Sequence, residues 1–235
     1  MKLNLKNINH GEHRVTRRGR GIKLYIFLLC LLAVIFNSCL GVSADITIKA
    51  DGSGKIALTY RVSQSLESMG RLDGNEKMPA VPTGRADFER TVSRIPGLKL
   101  SKYGSKNVRN SSGGSDLVTN VILDFKDTTA LLSFLDSSGS RAAMVQEGQG
   151  ALLRLTFLEP SGGITNPDVL ALLQEVSGAY ELDITLNLPR NATLTTIPAS
   201  IPAAKVISSG KKVSFSISMG ELLGMKEGLA LEIRY

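Results

Sequence analysis

The sequence is poor in the side chains that carry much of enzyme chemistry. Its 235 residues include two cysteines, two histidines and no tryptophan. His10 and His13 lie near the N-terminus, and Cys30 lies within an apolar run that begins at Leu24. The chain beyond that run therefore has no histidine base and no Ser-His or Cys-His nucleophile pair. An intrachain disulfide and a cysteine zinc site are excluded there as well, because only Cys39 follows the run.

Excess positive charge is also scarce outside the N-terminus. The formal net charge is +7, but residues 1–38 hold seven basic side chains and one acidic one. The other 197 residues hold 21 basic and 20 acidic side chains, a net charge of +1. Their aromatic residues are scattered through apolar patterns and form no stacking platform beside cations. We therefore expect no nucleic acid partner, and no electrostatic attraction of the domain as a whole to anionic lipid.

The N-terminus has the pattern of a secretory signal peptide. A basic segment ends at Lys23 and is followed by 13 apolar residues, 24–36. This run is too short to cross a hydrocarbon core of about 30 Å at about 1.5 Å per residue. Basic residues, a short apolar run and small residues beyond it are typical of a leader that is removed on export. We predict that residues 1–38 are a signal peptide of the lipoprotein type.

Two cleavage sites fit this leader. Ser38 before Cys39 resembles a bacterial lipobox, whose cysteine receives a diacylglycerol and becomes the new N-terminus, although Phe36 and Asn37 depart from its usual residues. The alternative is the small-x-small pattern that ends at Ala44, which would release a periplasmic or secreted protein. Lipidation of Cys39 would anchor the protein firmly to the cell membrane or outer membrane. In that case residues 39–44 form a short tether, and the first strand begins at Asp45.

Few other residues suggest chemistry. Asp124 and Asp127 are three residues apart, and we expect Asp127 to cap a helix rather than to form a catalytic acid pair with Asp124. The segment Asp-Gly-Ser-Gly at 51–54 lacks the alternating acidic ligands of a calcium loop and predicts a hairpin turn. No phosphate loop or nucleophile elbow is present. We therefore predict no catalytic, cofactor-binding or metal-binding residue, and no cofactor.

Alternation of apolar and polar residues is the main structural signal. It predicts antiparallel strands, with one face wet, at 46–50, 56–62, 98–103, 117–125, 141–146, 152–158, 182–188, 213–217 and 229–235. Apolar residues at helical spacing predict three helices, which begin near residues 85, 127 and 166. Residues 104–115 are polar and glycine-rich and predict a mobile hairpin tip.

The order of these elements predicts an α+β fold. We expect an antiparallel sheet with about three helices packed on one face in residues 45–178. A β-rich segment follows at 179–235, which either extends the same sheet or packs beside it, and we expect it to belong to the same domain.

The same order of features resembles the LppM-type family of bacterial cell-envelope lipoproteins. The shared features are the leader, Asp-Ile-Thr-Ile at 45–48 with a glycine-rich hairpin, residues 91–99 leading into a strand, Phe-Lys-Asp at 125–127 before a helix, and a β-rich end near 231–233. The resemblance implies an α+β envelope domain that binds lipid or glycolipid and has no recognised catalytic set. Family members often end in a transmembrane helix. This chain shows none before Tyr235, so we expect the N-terminal lipid to be its anchor.

Three functions follow from these observations. The first is a non-enzymatic, membrane-anchored envelope lipoprotein whose domain binds lipid, glycolipid or an envelope protein, with ligand space between helices and sheet near loops 71–84 and 104–115. The second is a structural or assembly lipoprotein that contacts proteins through an exposed sheet edge. The third is a hydrolase that uses Asp124 and Asp127, which requires the two carboxylates to converge in a pocket.

Overall fold

The structure is a computed structural model that describes residues 40–63, 84–110, 113–136, 138–160 and 167–235. The predicted signal peptide at 1–38, Cys39 and the predicted loop at 71–83 lie outside the described residues. The numbers of strands, helices and sheets given for the fold are those of the described ranges.

Strands account for most of the described chain. In chain order they are β1 (Leu40–Ile48), β2 (Gly54–Ser63), β3 (Leu98–Arg109), β4 (Ser115–Phe125), β5 (Ala142–Glu147), β6 (Gly150–Leu158), β7 (Glu181–Asn187), β8 (Thr193–Ile197), β9 (Lys205–Ser209), β10 (Lys212–Ser218) and β11 (Leu229–Arg234). The helices are α1 (Arg85–Ser93), α2 (Thr128–Leu135), α3 (Pro167–Ser177) and α4 (Met219–Gly224). The α+β class predicted from the sequence is confirmed at this level.

The strands form two sheets. The seven-stranded sheet has the order β3-β4-β2-β1-β7-β10-β9, and the four-stranded sheet has the order β5-β6-β11-β8. All pairings are antiparallel except that of β1 with β7, which is parallel. The expectation of a purely antiparallel sheet is therefore wrong at this pair. The C-terminal segment supplies strands to both sheets, so it both extends the first sheet and builds the second.

The predicted packing of three helices on one face is not confirmed. Helix α1 packs against β3, and its Phe88 ring lies 5.9 Å from the Tyr60 ring and 6.0 Å from the Tyr103 ring between centroids. Helices α3 and α4 pack on each other, and α2 contacts β4 and β5. The helices thus occupy different places around the sheets. The sequence could not show this because apolar spacing identifies a buried helix face but not what covers it.

Both sheets bury one face in a single hydrophobic cluster. Among its fully buried members are Ile46, Leu123 and Phe215 from the seven-stranded sheet and Leu153 and Leu231 from the four-stranded sheet. The other face of each sheet carries polar side chains and is exposed or half-buried, as clean alternation predicts. In the seven-stranded sheet we term this polar side the outer face.

Two strand boundaries differ from the prediction by more than two residues. Strand β1 begins at Leu40 instead of Asp45, and β3 continues to Arg109 instead of ending at Tyr103. The added part of β3 pairs with β4 as far as Ser115, so the tip between them is only 110–114. Its residues show no apolar alternation, because this edge strand is mostly exposed, and backbone pairing holds it in place. The hairpin turn at 51–54 is confirmed, and β5 and β6, at the strands predicted for 141–146 and 152–158, pair as a hairpin.

Candidate functional site

Strand β1 carries the chain into the fold directly after Cys39. Its residues pair with β2 from Leu40 onward, and from Val42 they also pair with β7. Val42 and Ala44 are partly buried against the core. Residues 40–44, which we expected to form a tether, are therefore part of the seven-stranded sheet. A lipid on Cys39 would be attached to the residue that immediately precedes this sheet.

An ion pair between a buried carboxylate and a half-exposed arginine lies at the same end of the sheet. The Asp116 carboxylate is fully buried and accepts hydrogen bonds from Arg61 Nε at 2.5 Å and from Asn110 Nδ2 at 2.7 Å. The Tyr180 hydroxyl donates a third hydrogen bond at 3.2 Å. These four residues, termed the Asp116 cluster, join β2, β4, the end of the β3–β4 hairpin and the residue before β7. Such a carboxylate needs these donors, because an unpaired buried charge is costly.

Gly41 of β1 passes between two members of this cluster. The guanidinium of Arg61 lies 6.0 Å from the centroid of the Tyr180 ring. A Cβ added at Gly41 would lie 3.5 Å from the Tyr180 ring and 3.6 Å from Arg61 Cβ. The start of β1 is therefore held by side chains of its neighbours as well as by backbone pairing. No sequence motif marks this cluster, since its members are separated by up to 119 positions.

An open trough of about 510 Å³ lies on the outer face of β2, β3 and β4. Lys102 and Lys106 stand on either side of Gly104 along β3, and a Cβ added at Gly104 would meet no atom within 4 Å. Thr59 Oγ1 donates to Asn120 Oδ1 at 2.9 Å, which leaves the Asn120 amide hydrogens as donors. No carboxylate lines the trough. Its chemistry suits a phosphate, a carboxylate or sugar hydroxyl groups.

Two further grooves are smaller and also open. One of about 310 Å³ is lined partly by Ile201, Pro202 and Met225. Another of about 330 Å³ lies beside the β1–β2 turn and carries Lys49 and Arg190. The ligand space expected near loops 71–84 and 104–115 is not tested at residues 71–83, which lie outside the described residues. Residues 104–109 belong to β3 and not to a loop.

The two predicted carboxylates have separate tasks. Asp127 Oδ1 accepts the Ala130 N–H at 2.9 Å and caps α2, as predicted. Asp124 lies on the outer face, where it accepts a hydrogen bond from Ser101 and lies 3.8 Å from Lys55 Nζ. Neither Asp124 nor Asp127 lines any of the grooves found among the described residues, so none of these grooves brings the two carboxylates together. The hydrolase hypothesis therefore gains no support from this pair.

The predicted turn at 51–54 is stabilised internally. Asp51 Oδ1 accepts hydrogen bonds from the Ser53 hydroxyl at 2.8 Å and from the Ser53 N–H at 3.0 Å. These hydrogen bonds lower the pKa of the Asp51 carboxyl below its ordinary value. In the described ranges, no group of three or more His, Cys, Asp or Glu side chains is placed to hold a metal ion. Nor does any helix there have the length and apolar character needed to cross a membrane.

Comparison with known proteins gives a likeness to solved structures but none to a family or a curated protein. No known protein family matches the chain, and no curated protein is detectably similar. Among solved structures, the chain is similar to the NMR structure of the folded domain of LppM from Mycobacterium tuberculosis. The match has 14% sequence identity and a TM-score of 0.41, and it covers 85% of this chain and 91% of that one. A likeness at this TM-score assigns neither a family nor a function.

Proposed function

We propose that the chain is a bacterial envelope lipoprotein, anchored by lipid on Cys39, whose non-catalytic domain is held directly at the membrane surface. The observation that supports this proposal is the start of β1 at Leu40. Cleavage before Cys39 leaves the seven-stranded sheet whole. The acylated residue then adjoins the first strand, and the domain has no spacer that would let it move away from the lipid.

The alternative cleavage after Ala44 is hard to reconcile with this sheet. It would remove five of the nine residues of β1, including those paired with residues 58–62 of β2 and with Leu182 and Ile184 of β7. Buried apolar side chains such as Leu58 and Val62 would lose their cross-strand neighbours. The fold thus favours the lipoprotein site over release of a periplasmic or secreted protein.

The trough is our proposed place for a ligand. Lys102, Lys106 and Asn120 supply donors without a competing carboxylate, so the polar headgroup of a lipid or glycolipid suits it. The described grooves are open, and they therefore suit a headgroup better than an enclosed acyl chain.

Contact with another envelope protein is the second candidate function. Strand β9 is an edge strand of the seven-stranded sheet, and its Val206 and Ile207 are 43% and 58% exposed. An edge strand with exposed apolar side chains can pair with a strand of a partner. Crosslinking in intact cells tests this candidate. One reproducible protein partner lost with Val206→Lys and Ile207→Lys would support it, and the absence of any partner would reject it.

Metabolic labelling with palmitate tests the anchor. We expect label in the wild-type protein and in Cys30→Ala, which alters the cysteine inside the leader, but none in Cys39→Ala. Globomycin, which blocks lipoprotein signal cleavage, should cause the precursor to accumulate. Unchanged labelling of Cys39→Ala would overturn the lipoprotein proposal and leave a protein released near Ala44.

Lipid extraction and native mass spectrometry of the purified protein test the trough. We expect a co-purifying lipid or glycolipid that is lost with Lys102→Gln and Asn120→Ala together. The double variant Lys211→Gln, Lys212→Gln is the control, because those lysines lie on another strand pair and outside the trough. No bound lipid in the wild type, or equal retention in both variants, would remove the headgroup proposal.

A further inference from the structure

We infer that the end of the seven-stranded sheet where β1 begins docks on anionic phospholipid headgroups through Lys106 and Arg109. This inference rests on the proposed anchor at Cys39, and it adds a second, electrostatic contact with the same membrane. The two contacts together would fix the orientation of the domain, which a single lipid-bearing residue cannot do.

The strand register places Lys106 at the height of the anchor. Lys106 pairs with Val118, Val118 with Arg61, and Arg61 with Gly41, the second residue after Cys39. Because paired residues form rows across a sheet, Lys106 is one residue, about 3 Å along the strand direction, from the level of Leu40. Arg109 lies three residues further toward the same end of the sheet.

The lateral distance makes this second contact useful. Three strand spacings separate β3 from β1, which is about 14 Å. A domain held only at Cys39 can pivot about that residue. Cations about 14 Å to one side would resist the pivot when they lie in the headgroup layer, and the anchor raises their effective concentration at the membrane.

The charge of this strand fits an anionic surface. Strand β3 carries Lys99, Lys102, Lys106 and Arg109 and no carboxylate. Lys106 and Arg109 are exposed, and neither forms an ion pair with any residue in the described ranges.

The carboxylates at this end do not cancel these charges. Asp116 is buried and already paired with Arg61. Glu181 is at the height of Gly41, but it lies on β7, four strand spacings or about 19 Å from β3. That distance exceeds the Debye length of about 8 Å at physiological ionic strength. Among the described residues, no carboxylate therefore compensates the positive charge that the Lys106 edge presents toward the side of the anchor.

Lysines at a sheet edge can also serve to prevent association between sheets. The distance of a lysine from the proposed membrane level distinguishes that role from membrane docking. Lys212 pairs with Asn187, which pairs with Thr47 of β1. Thr47 is seven residues from Leu40, so Lys212 is about 23 Å from the proposed membrane level. At that distance, screening by salt removes the electrostatic attraction between these lysines and the bilayer. Lys211 and Lys212 are nevertheless exposed, as Lys106 and Arg109 are.

The test uses the acylated protein purified from bacterial membranes and reconstituted into two kinds of vesicle. One kind contains phosphatidylglycerol and phosphatidylcholine, and the other contains phosphatidylcholine alone. Hydrogen exchange of the amides from Gly104 to Asn110 reports docking of β3. Each cation near an anionic surface is worth about a fivefold change in binding, so the pair should shift the docked-to-free ratio by about 25-fold.

We expect slower exchange on the anionic vesicles only, reversed by high salt. The double variant Lys106→Gln, Arg109→Gln should lose this protection, whereas Lys211→Gln, Lys212→Gln should keep it. Equal exchange on both vesicles, or equal loss in both variants, would overturn the docking inference. Far-UV circular dichroism of each variant verifies that the fold is retained.

Flotation with the phosphatidylcholine vesicles separates this inference from the anchor. Protein that floats with them but shows no difference in exchange retains the anchor and refutes docking. Protein that floats with the anionic vesicles alone, and is released by the Lys106 and Arg109 substitutions, refutes the anchor and supports electrostatic docking.

Discussion

At the end of the seven-stranded sheet where β1 begins, three hydrogen bonds converge on the buried carboxylate of Asp116, and exposed cations stand at the neighbouring edge. At the opposite end, Gly54 begins β2 so close to its neighbours that an added Cβ would lie 1.9 Å from the Thr47 carbonyl oxygen and 2.4 Å from the Phe125 ring. Polar contacts therefore hold the end proposed to face the membrane, and close backbone packing holds the far end.

Removal of residues 40–44, at the end proposed to face the membrane, should lower the stability of the protein more than any single substitution at either end. With Cys39 joined directly to Asp45, β1 loses its pairing with both neighbours at the end that holds the Asp116 cluster. We expect the free energy of unfolding to fall by more than about 5 kcal/mol, beyond the range of nearly all single substitutions. Urea denaturation followed by circular dichroism measures the change.

The matched control inserts five Gly and Ser residues between Cys39 and Leu40. It leaves β1 intact and supplies the tether that the native chain lacks, so its stability should equal that of the wild type. Equal stability of the deletion variant and the wild type would contradict the assignment of residues 40–44 to the sheet.

Arg61→Ala removes the charged partner of the buried Asp116 carboxylate at the same end. It leaves the fully buried Asp116 carboxylate with two donors and removes the cation beside Tyr180. We expect a loss of about 3 kcal/mol, the lower end of what leaving a buried charge without its partner costs, because Asp116 is fully buried while Arg61 itself is 43% exposed. Thermal and urea unfolding report the loss.

Arg154→Ala provides the comparison for that substitution. Arg154 pairs with Glu232 at 3.4 Å, but the Glu232 carboxylate is 18% exposed whereas that of Asp116 is fully buried, so the loss should stay below about 1 kcal/mol. If both arginine variants lose the same amount, the buried cluster has no special weight in stability.

Gly54→Ala perturbs the far end. The new Cβ must displace both the Thr47 carbonyl and the Phe125 ring, and we expect a cost of about 2 kcal/mol from this overpacking. Gly104→Ala is the control in the same sheet, because an added Cβ there meets no atom within 4 Å. Its stability should change by less than about 0.5 kcal/mol. A reversed ranking of the two variants would refute the close packing at Gly54.

The smallest expected effect on stability concerns Asp136, which follows α2 and precedes the four-stranded sheet. Burial alone raises the pKa of Asp136, but hydrogen bonds from Ser138, Arg141 and Ala142 outweigh it and lower the pKa to about 2 from its ordinary value of 3.8. The folded form therefore holds the proton less tightly than the unfolded chain. The stabilisation is present above the unfolded value and is lost as the pH falls through about 2.

Asp136→Asn should remove this part of the pH dependence. Urea midpoints of the variant should fall less steeply than those of the wild type between the two pKa values. The difference should be small because Asp136 is largely solvated. Parallel curves for the two proteins would show that the hydrogen bonds at Asp136 do not contribute.

The fold was predictable where one face of an element is buried. The alternation at 46–48 and 56–62 located the β1–β2 hairpin, and Asp127 was correctly expected to cap α2. The C-terminal half of β3, residues 104–109, was missed because its edge position leaves it without an apolar face. The parallel pairing of β1 with β7 was missed as well, since it joins segments about 140 residues apart and local pattern carries no information on partners.

The candidate site was less predictable than the fold. Cys39 follows from the leader pattern, but the importance of residues 40–44 depends on pairing with two distant strands. Asp116 precedes an alternating segment without any motif, and its burial results from Arg61, Asn110 and Tyr180 meeting in space. The proposed role of Lys106 depends entirely on the strand register, which brings this residue to the height of Gly41.

The mass of the N-terminal peptide of the mature protein, isolated from bacterial membranes, tests the central claim most directly. A peptide that begins with an acylated Cys39 and continues through Leu40 and Gly41 is the result we predict. It would show that the membrane anchor and the first strand of the sheet are adjacent. A peptide that begins with an unmodified Asp45 would contradict the account, because the mature protein would then lack the part of β1 that the fold requires.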